Sequence, residues 1–316
     1  MTRDSQIRIL MLGAGKRASM AEQFKIAAEK LGYQCSIFSY ETEREVPVAE
    51  FAEVIVGKKF SDENSITDIR DVVAAKNIDI VIPFHDSALG IASQLGEKVF
   101  VPGSNMESIE IFSDKKMTGQ FLRSHSIPTP KLATSAPAIA KPIYGSSSKG
   151  IVRLLSNEEL SQFIAGPGAN DFEIQELCSG PELSVDGYVA LNGGFRQFAP
   201  RLRLETLNGE ATKSRTIRNK EVESICNDLC VKANLRGAIT VQFIWSEVEK
   251  AYLVMEVNLR FGGGVLTTIL AGIPWPEILL RDYLGIDQGT YDYDHDFLMV
   301  RSFREFGFSM KDASEA

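Results

Sequence analysis

The sequence predicts an α/β unit followed by an α+β unit, and three observations carry that expectation. Strand and helix patterns alternate along residues 7–101, the arrangement that builds a doubly wound parallel sheet. From Ser113 the texture changes to a capped helix, short strands and glycine-rich loops. Residues 239–264 then read as a hairpin whose polar side chains gather on one face. At 316 residues the chain is long enough for two or three compact units.

The first unit opens on the mostly apolar run 7–13, fit for a buried parallel strand, then the turn Gly13-Ala-Gly15-Lys-Arg-Ala18 and a helix over Met20–Leu31. A strand over Gln34–Tyr40 follows, with Glu41 at its end. Further strands are expected at 54–56, 78–83 and 99–101, with helices at 66–76 and 87–95. His85-Asp86 fall just past a strand's carboxyl end, where α/β sheets bind ligands, although a plain loop hydrogen bond explains them equally well. The glycine turn with its later acid satisfies the dinucleotide fingerprint, so an NAD(P)-dependent oxidoreductase is one reading. Lys16 and Arg17 crowd the place where a pyrophosphate wants bare backbone.

In the second unit, Ser113-Asp114 can cap a helix over 115–125, which Pro128 and Pro130 stop. A short strand at 138–142 carries Lys141, and Gly145–Gly150 forms a loop rich in small donors without Walker spacing. Strands are expected at 172–177 and 183–191, and a helix at 220–234. Between them lies a basic stretch with Arg196, Arg201, Arg203, Lys213, Arg215 and Arg218. No aromatic residues interleave it as a stacking platform would require, so a negatively charged small substrate fits it better than nucleic acid. Arg201, Arg203, Lys213 and Arg215 are the candidate substrate contacts, each with a solvated strand face as its bland alternative. Helices at 266–270 and 277–284 and a strand at 297–303 complete the chain.

The hairpin 239–264 is the informative stretch. Setting Trp245 opposite Ala251 puts Gln242 opposite Val254, and Gln242, Glu256 and Asn258 then share one face. Three oxygen-bearing side chains make poor core material and good ligands for Mg²⁺. Arg260 follows on the same parity, before a glycine run that lets backbone come close to a ligand.

A net charge of −8 and a pI near 5.2 argue against nucleic acid as a main partner. No apolar run approaches a membrane helix, and the start shows no signal peptide, which predicts a cytoplasmic protein. Cys35, Cys178, Cys226 and Cys230 form no CxxC pair and are expected as free thiols.

Taken in order, these motifs resemble the ATP-grasp superfamily, in the branch similar to the large subunit of carbamoyl phosphate synthetase. The resemblance covers nearly the whole chain: a pre-ATP-grasp domain at 1–107 and a two-part ATP-grasp fold at 108–316, with a mobile lid at about 132–180. It implies that Lys115 and Lys141 meet nucleotide phosphates, and that Ser146, Ser147, Ser148 and Gly150 belong to the loop covering them. Gln175, Glu176, Leu177 and Cys178 match the hinge that holds adenine, and Glu182 the acid that binds ribose hydroxyls. Gln242, Glu256 and Asn258 match the metal ligands, with Gln242 where many relatives carry an acid and Leu259 in place of a proline. Arg260 with Lys141 then serves catalysis.

The resemblance implies an ATP- and Mg²⁺-dependent ligase, with Mn²⁺ as a substitute ion, that activates a carboxylate as an acyl phosphate for attack by an amine. Amino acids or peptides are the expected substrate type, and a homodimer is compatible with the family's habits. A non-catalytic ATP-binding module is the alternative from a different class.

Overall fold

The computed structural model describes residues 5–96, 98–145, 149–302 and 304–308. They fall into two compact units, one running to Val101 and taken up again from Val300, the other spanning Pro102–Met299.

In the first unit, β1 (Gln6–Leu12), β2 (Gln34–Glu41), β3 (Glu53–Val56) and β4 (Ile80–Pro83) form a parallel sheet in the order β3-β2-β1-β4. Ile9, Leu10, Met11 and Leu12 are all buried at consecutive positions, so both faces of β1 are covered, as a continuous apolar run demands. Helices α1 (Ala18–Lys30), α2 (Ser65–Ala75) and α3 (Leu89–Ser93) connect the strands. Two expectations change. The strand at 99–101 reduces to one parallel bridge, Ile80 with Phe100. The helix at 87–95 begins as a 3-10 turn, Asp86–Ala88, before α3.

The second unit opens with α4 (Met106–Ser113), absent from the sequence reading, and α5 (Lys115–Ser124), which Asp114 caps by accepting from Met117 N at 2.9 Å. A three-stranded sheet follows in the order β6-β5-β7, from β5 (Ala138–Pro142), β6 (Val152–Leu154) and β7 (Phe172–Glu176). Helix α6 (Asn157–Ala165) covers its apolar side, where Ala138, Ala140, Leu154 and Leu160 are buried. The remaining strands are β8 (Glu182–Val189), β9 (Arg196–Leu207), β10 (Glu210–Thr216), β11 (Gly237–Ser246), β12 (Ala251–Asn258) and β13 (Leu298–Val300). They form one sheet in the order β12-β11-β8-β9-β10-β13. Helices α7 (Lys220–Lys232), α8 (Leu266–Leu270) and α9 (Trp275–Leu284) complete the unit.

The basic stretch left between elements is the long antiparallel hairpin β9–β10. The hairpin β11–β12 also differs in register. Ser246 faces Ala251, Trp245 faces Tyr252, and a bulge at Met255 sets Gln242 opposite Glu256, not Val254. The bulge slips the phase by one residue, so Val254 pairs with Phe243 in the core and Glu256 turns to the other face.

Candidate active site

Strand register decides which side chains meet. Across β12, β11, β8 and β9, Glu256 faces Gln242, Gln242 faces Ser184, and Ser184 faces Arg201. Two residues along, Asn258 faces Thr240 and Thr240 faces Asp186. On the neighbouring parity Val257, Val241 and Val185 line up instead. One face of this sheet is therefore apolar, and the middle of the other carries acids, amides, hydroxyls and guanidinium groups. Gln242, Glu256 and Asn258 share the polar face as expected, by a different register from the one expected. Arg260 Nη2 donates to Asn258 Oδ1 at 3.2 Å, which ties the arginine to the end of the same row.

The donors suit a particular cation. One carboxylate and two amide oxygens are hard ligands of low total charge, the type Mg²⁺ accepts when phosphates supply the rest of its shell. Among the described residues, no group of three or more His, Cys, Asp or Glu side chains is placed to hold a metal alone. The set thus fits a metal–nucleotide complex better than a bare ion.

The three-stranded sheet contributes a second polar group. Lys141 pairs with Glu173 across β5 and β7, and its Nζ lies 3.0 Å from Gln175 Oε1. The lysine is buried, which pulls its pKa below the ordinary value; Glu173, Glu256 and Cys178 oppose that shift and Lys115 adds to it. Lys141 therefore lies within electrostatic reach of both Glu256 and Lys115, although they come from three separate parts of the sequence. Glu173 is also buried, which raises its carboxyl pKa against the pull of Arg123, 3.4 Å away, and of Lys141. Gly119 on α5 makes this possible, since a Cβ there would lie 2.1 Å from Glu173 Oε1. Lys115 donates from Nζ to Gly145 O at 2.7 Å. Gly150 turns with a φ of +73°. Ser146, Ser147 and Ser148 lie outside the described residues.

At the expected hinge, Gln175 spends its side chain on Lys141, while the backbone N–H groups of Glu176 and Leu177 donate to Lys131 O and Pro137 O. Burial raises the pKa of the Cys178 thiol, and the nearby Glu176 adds to that shift while Lys141 opposes it. Glu182 carries an ion pair: its Oε2 lies 3.3 Å from Arg203 Nε. That contact lacks hydrogen-bond geometry, while Arg203 Nη2 donates to Gly209 O at 3.0 Å.

The four basic candidates separate. Arg203 stays on the polar face beside Glu182. Arg201, 2% exposed, is locked to Asp186 through Nε and Nη2 at 2.8 and 3.0 Å, so its charge is already neutralised. Lys213 pairs with Glu205 and Arg215 with Asp296, the latter on the opposite parity of β10 from Ser214 and Thr216. Ser184, Asp186, Thr240 and Glu173 belong to the polar groups and were missed. The alternation in Glu182-Leu-Ser184-Val-Asp186 and Arg201-Leu-Arg203 was the available signal.

In the first unit the glycine turn has its own occupant. Glu41 accepts from the backbone N–H groups of Ala14 and Gly15 and from Ser39 Oγ at 2.6 Å, and burial raises its pKa. The amides that a pyrophosphate would need are bonded to a carboxylate, which weighs against the dinucleotide reading. His85 and Phe60 close over the turn, as a Cβ on Gly13 would lie 2.9 Å from His85 Cβ. His85 Nδ1 bonds Ser87 Oγ at 2.7 Å, the plain loop contact. All four cysteines are free thiols, and no helix among the described residues is long and apolar enough to cross a membrane.

Residues 112–264 match the model of the ATP-grasp domain. Among solved structures, the biotin carboxylase domain of 2-oxoglutarate carboxylase from Hydrogenobacter thermophilus, in complex with MgADP, ADP and bicarbonate, superposes with a TM-score of 0.73. It is 15% identical, and the match covers 92% of this chain and 72% of that one. An L-amino acid ligase from Bacillus licheniformis is 17% identical with a TM-score of 0.68, over 90% of this chain and 75% of that one. N5-carboxyaminoimidazole ribonucleotide synthetase from Thermotoga maritima is 18% identical with a TM-score of 0.66, over 91% and 78%. At these identities the likeness is one of fold. No curated protein sequence matches the chain. This chain carries an ATP-grasp domain.

Proposed function

We propose that the chain is an ATP- and Mg²⁺-dependent ligase that activates a carboxylate as an acyl phosphate and passes the acyl group to an amine. The observation that carries this reading is the polar row on the six-stranded sheet: Gln242 directly opposite Glu256, Asn258 beside them, and Arg260 bonded to Asn258. Mg²⁺ bound by Gln242, Glu256 and Asn258 would neutralise the phosphate oxygens, the chief requirement of phosphoryl transfer. The chain's own residues do the rest. Lys115 and Lys141 bind phosphate oxygens, and Glu182 holds the ribose beside a hinge formed by residues 175–178. Arg260 steadies the anion that forms as the substrate carboxylate oxygen attacks the γ-phosphorus and ADP departs. The amine then attacks the acyl carbon, phosphate leaves, and the amine's proton passes to solvent. Small-molecule carboxylates and amines are the partners, with an amino acid or peptide as the substrate type.

The likeness to enzymes whose names record ADP, bicarbonate or amino acids supports this chemistry without naming a substrate. The test is incubation with ATP, Mg²⁺ and hydroxylamine against a panel of amino acids and small acids. Hydroxylamine traps an acyl phosphate whatever the natural acceptor. A hydroxamate with matching ADP release is the expected result, and ADP-free wells throughout would remove the ligase reading.

A further inference from the structure

The most densely bonded carboxylate of the polar face touches neither proposed metal ligand nor lysine. Asp186 is 1% exposed, and besides both Arg201 bonds it lies 2.9 Å from Thr268 Oγ1. The Thr268 hydroxyl shares its proton with Val265 O, also at 2.9 Å, and accepts Trp275 Nε1–H at 2.9 Å. The Thr240 hydroxyl sits between Asp186 Oδ1, at 3.5 Å, and the Arg260 carbonyl, at 3.3 Å. The segment from Arg260 to Thr268 is thereby held to the sheet at both ends, by Asp186 at Thr268 and by Thr240, whose one proton Asp186 and the Arg260 carbonyl share, at Arg260.

The glycines between those ends lie against the same side chains. A Cβ on Gly262 would fall 2.8 Å from Thr240 Oγ1, and one on Gly264 would fall 2.6 Å from Arg201 Nη1. Only backbone fits between strap and sheet. The pair also has a cost that stability alone does not explain. Arg201 Nη1 is buried without a hydrogen-bond partner, and buried ion pairs are often replaced by apolar residues with no loss of stability. What such a pair supplies is a defined arrangement.

We propose that Asp186 and Arg201 are positioning residues: with Thr240 and Thr268 they fix the Arg260–Thr268 strap on the sheet and so set the direction of the Arg260 guanidinium. Arg201 is in this account no substrate contact. The consequence for turnover rests on the ligase reading; the clamp itself does not.

The test uses the full chain with the double variant Asp186→Leu/Arg201→Met, which replaces the buried pair by apolar side chains. The first readout is amide hydrogen exchange at Val265, Thr267 and Thr268, whose N–H groups donate to Gly262, Gly264 and Val265 carbonyls. Exchange there is expected at least tenfold faster than in the parent chain, with the amides of β1 unchanged. The second is the hydroxamate assay, where kcat is expected to fall at least 30-fold while KM for ATP stays within threefold. A folded variant with parental exchange at the strap, or with parental kcat, overturns the proposal. If the double variant does not fold, Thr268→Val removes only the hydroxyl and is read the same way. A parent chain that makes no hydroxamate counts against the ligase reading, and exchange still decides the clamp.

Discussion

The two larger sheets bury their strands by opposite rules. In β1 every residue from Ile9 to Leu12 is buried, because helices cover both faces of a parallel sheet. In β8 and β11 most side chains are buried too, but they alternate: Leu183, Val185, Val241 and Phe243 on one face, Ser184, Asp186, Thr240 and the half-buried Gln242 on the other. The first sheet is apolar at its centre and forms the core of its own unit. The second gives the middle of one face to polar groups, a cost that apolar side chains there would avoid.

Exchanging a residue on each sheet should separate the two roles. Glu256→Ala is expected to lower hydroxamate formation by about 1,000-fold, roughly 4 kcal/mol of barrier, while the melting temperature stays within about 2 °C. Leu10→Ala, at a fully buried site, should lose about 3 kcal/mol of stability in urea titration while each folded molecule keeps its turnover. A Glu256→Ala chain with full turnover would remove the metal assignment. A Leu10→Ala chain of parental stability would contradict the close packing of the parallel sheet.

A smaller effect probes the polar face's low charge. With Glu256 as its single carboxylate, the Gln242, Glu256 and Asn258 set should hold Mg²⁺ at least tenfold more tightly with ATP bound than without it. Calorimetric Mg²⁺ titrations with and without a non-hydrolysable ATP analogue measure the ratio. Equal affinities would mean a complete cation site that these residues do not form.

The contrast also explains what the sequence made legible. The parallel sheet was readable because its strands are continuous apolar runs bounded by glycine turns, and β1, β2 and β4 appear within two residues of expectation. The hairpin β9–β10 was not readable, because Arg201, Arg203, Lys213 and Arg215 break the usual hydrophobic pattern with charges whose partners lie on other strands or, for Arg215, in the turn at Asp296. The grouping of Gln242, Glu256 and Asn258 followed from parity alone. The bulge at Met255 did not, since one inserted residue leaves no mark in composition. Arg201 looked like a substrate cation for the same reason: sequence shows its charge and hides Asp186, fifteen residues away and paired to it. Trp275, so far along the chain, gave no hint that it bonds the threonine that contacts the same acid.

The smallest predicted effect concerns the third sheet, where a polar face is again buried. Burial raises the Glu173 carboxyl above its ordinary value, more than Arg123 and Lys141 lower it. A carboxyl whose pKa is higher folded than unfolded takes up protons on folding, so its ionisation costs stability as pH rises through the window that opens near 4.5. Glu173→Gln keeps the shape without the charge. The parent's melting temperature should therefore fall relative to that of the variant over the interval that starts near pH 4.5 and ends once the folded carboxyl is ionised, and run parallel to it above. Arg123, with its side chain 33% exposed, can take water in place of the lost carboxylate. A parent that instead gains on the variant across that interval would show that the Arg123 and Lys141 contacts outweigh burial. The polar face of the small sheet would then be held by its ion pairs, unlike that of the large sheet, where Arg201 leaves a buried donor unpaired.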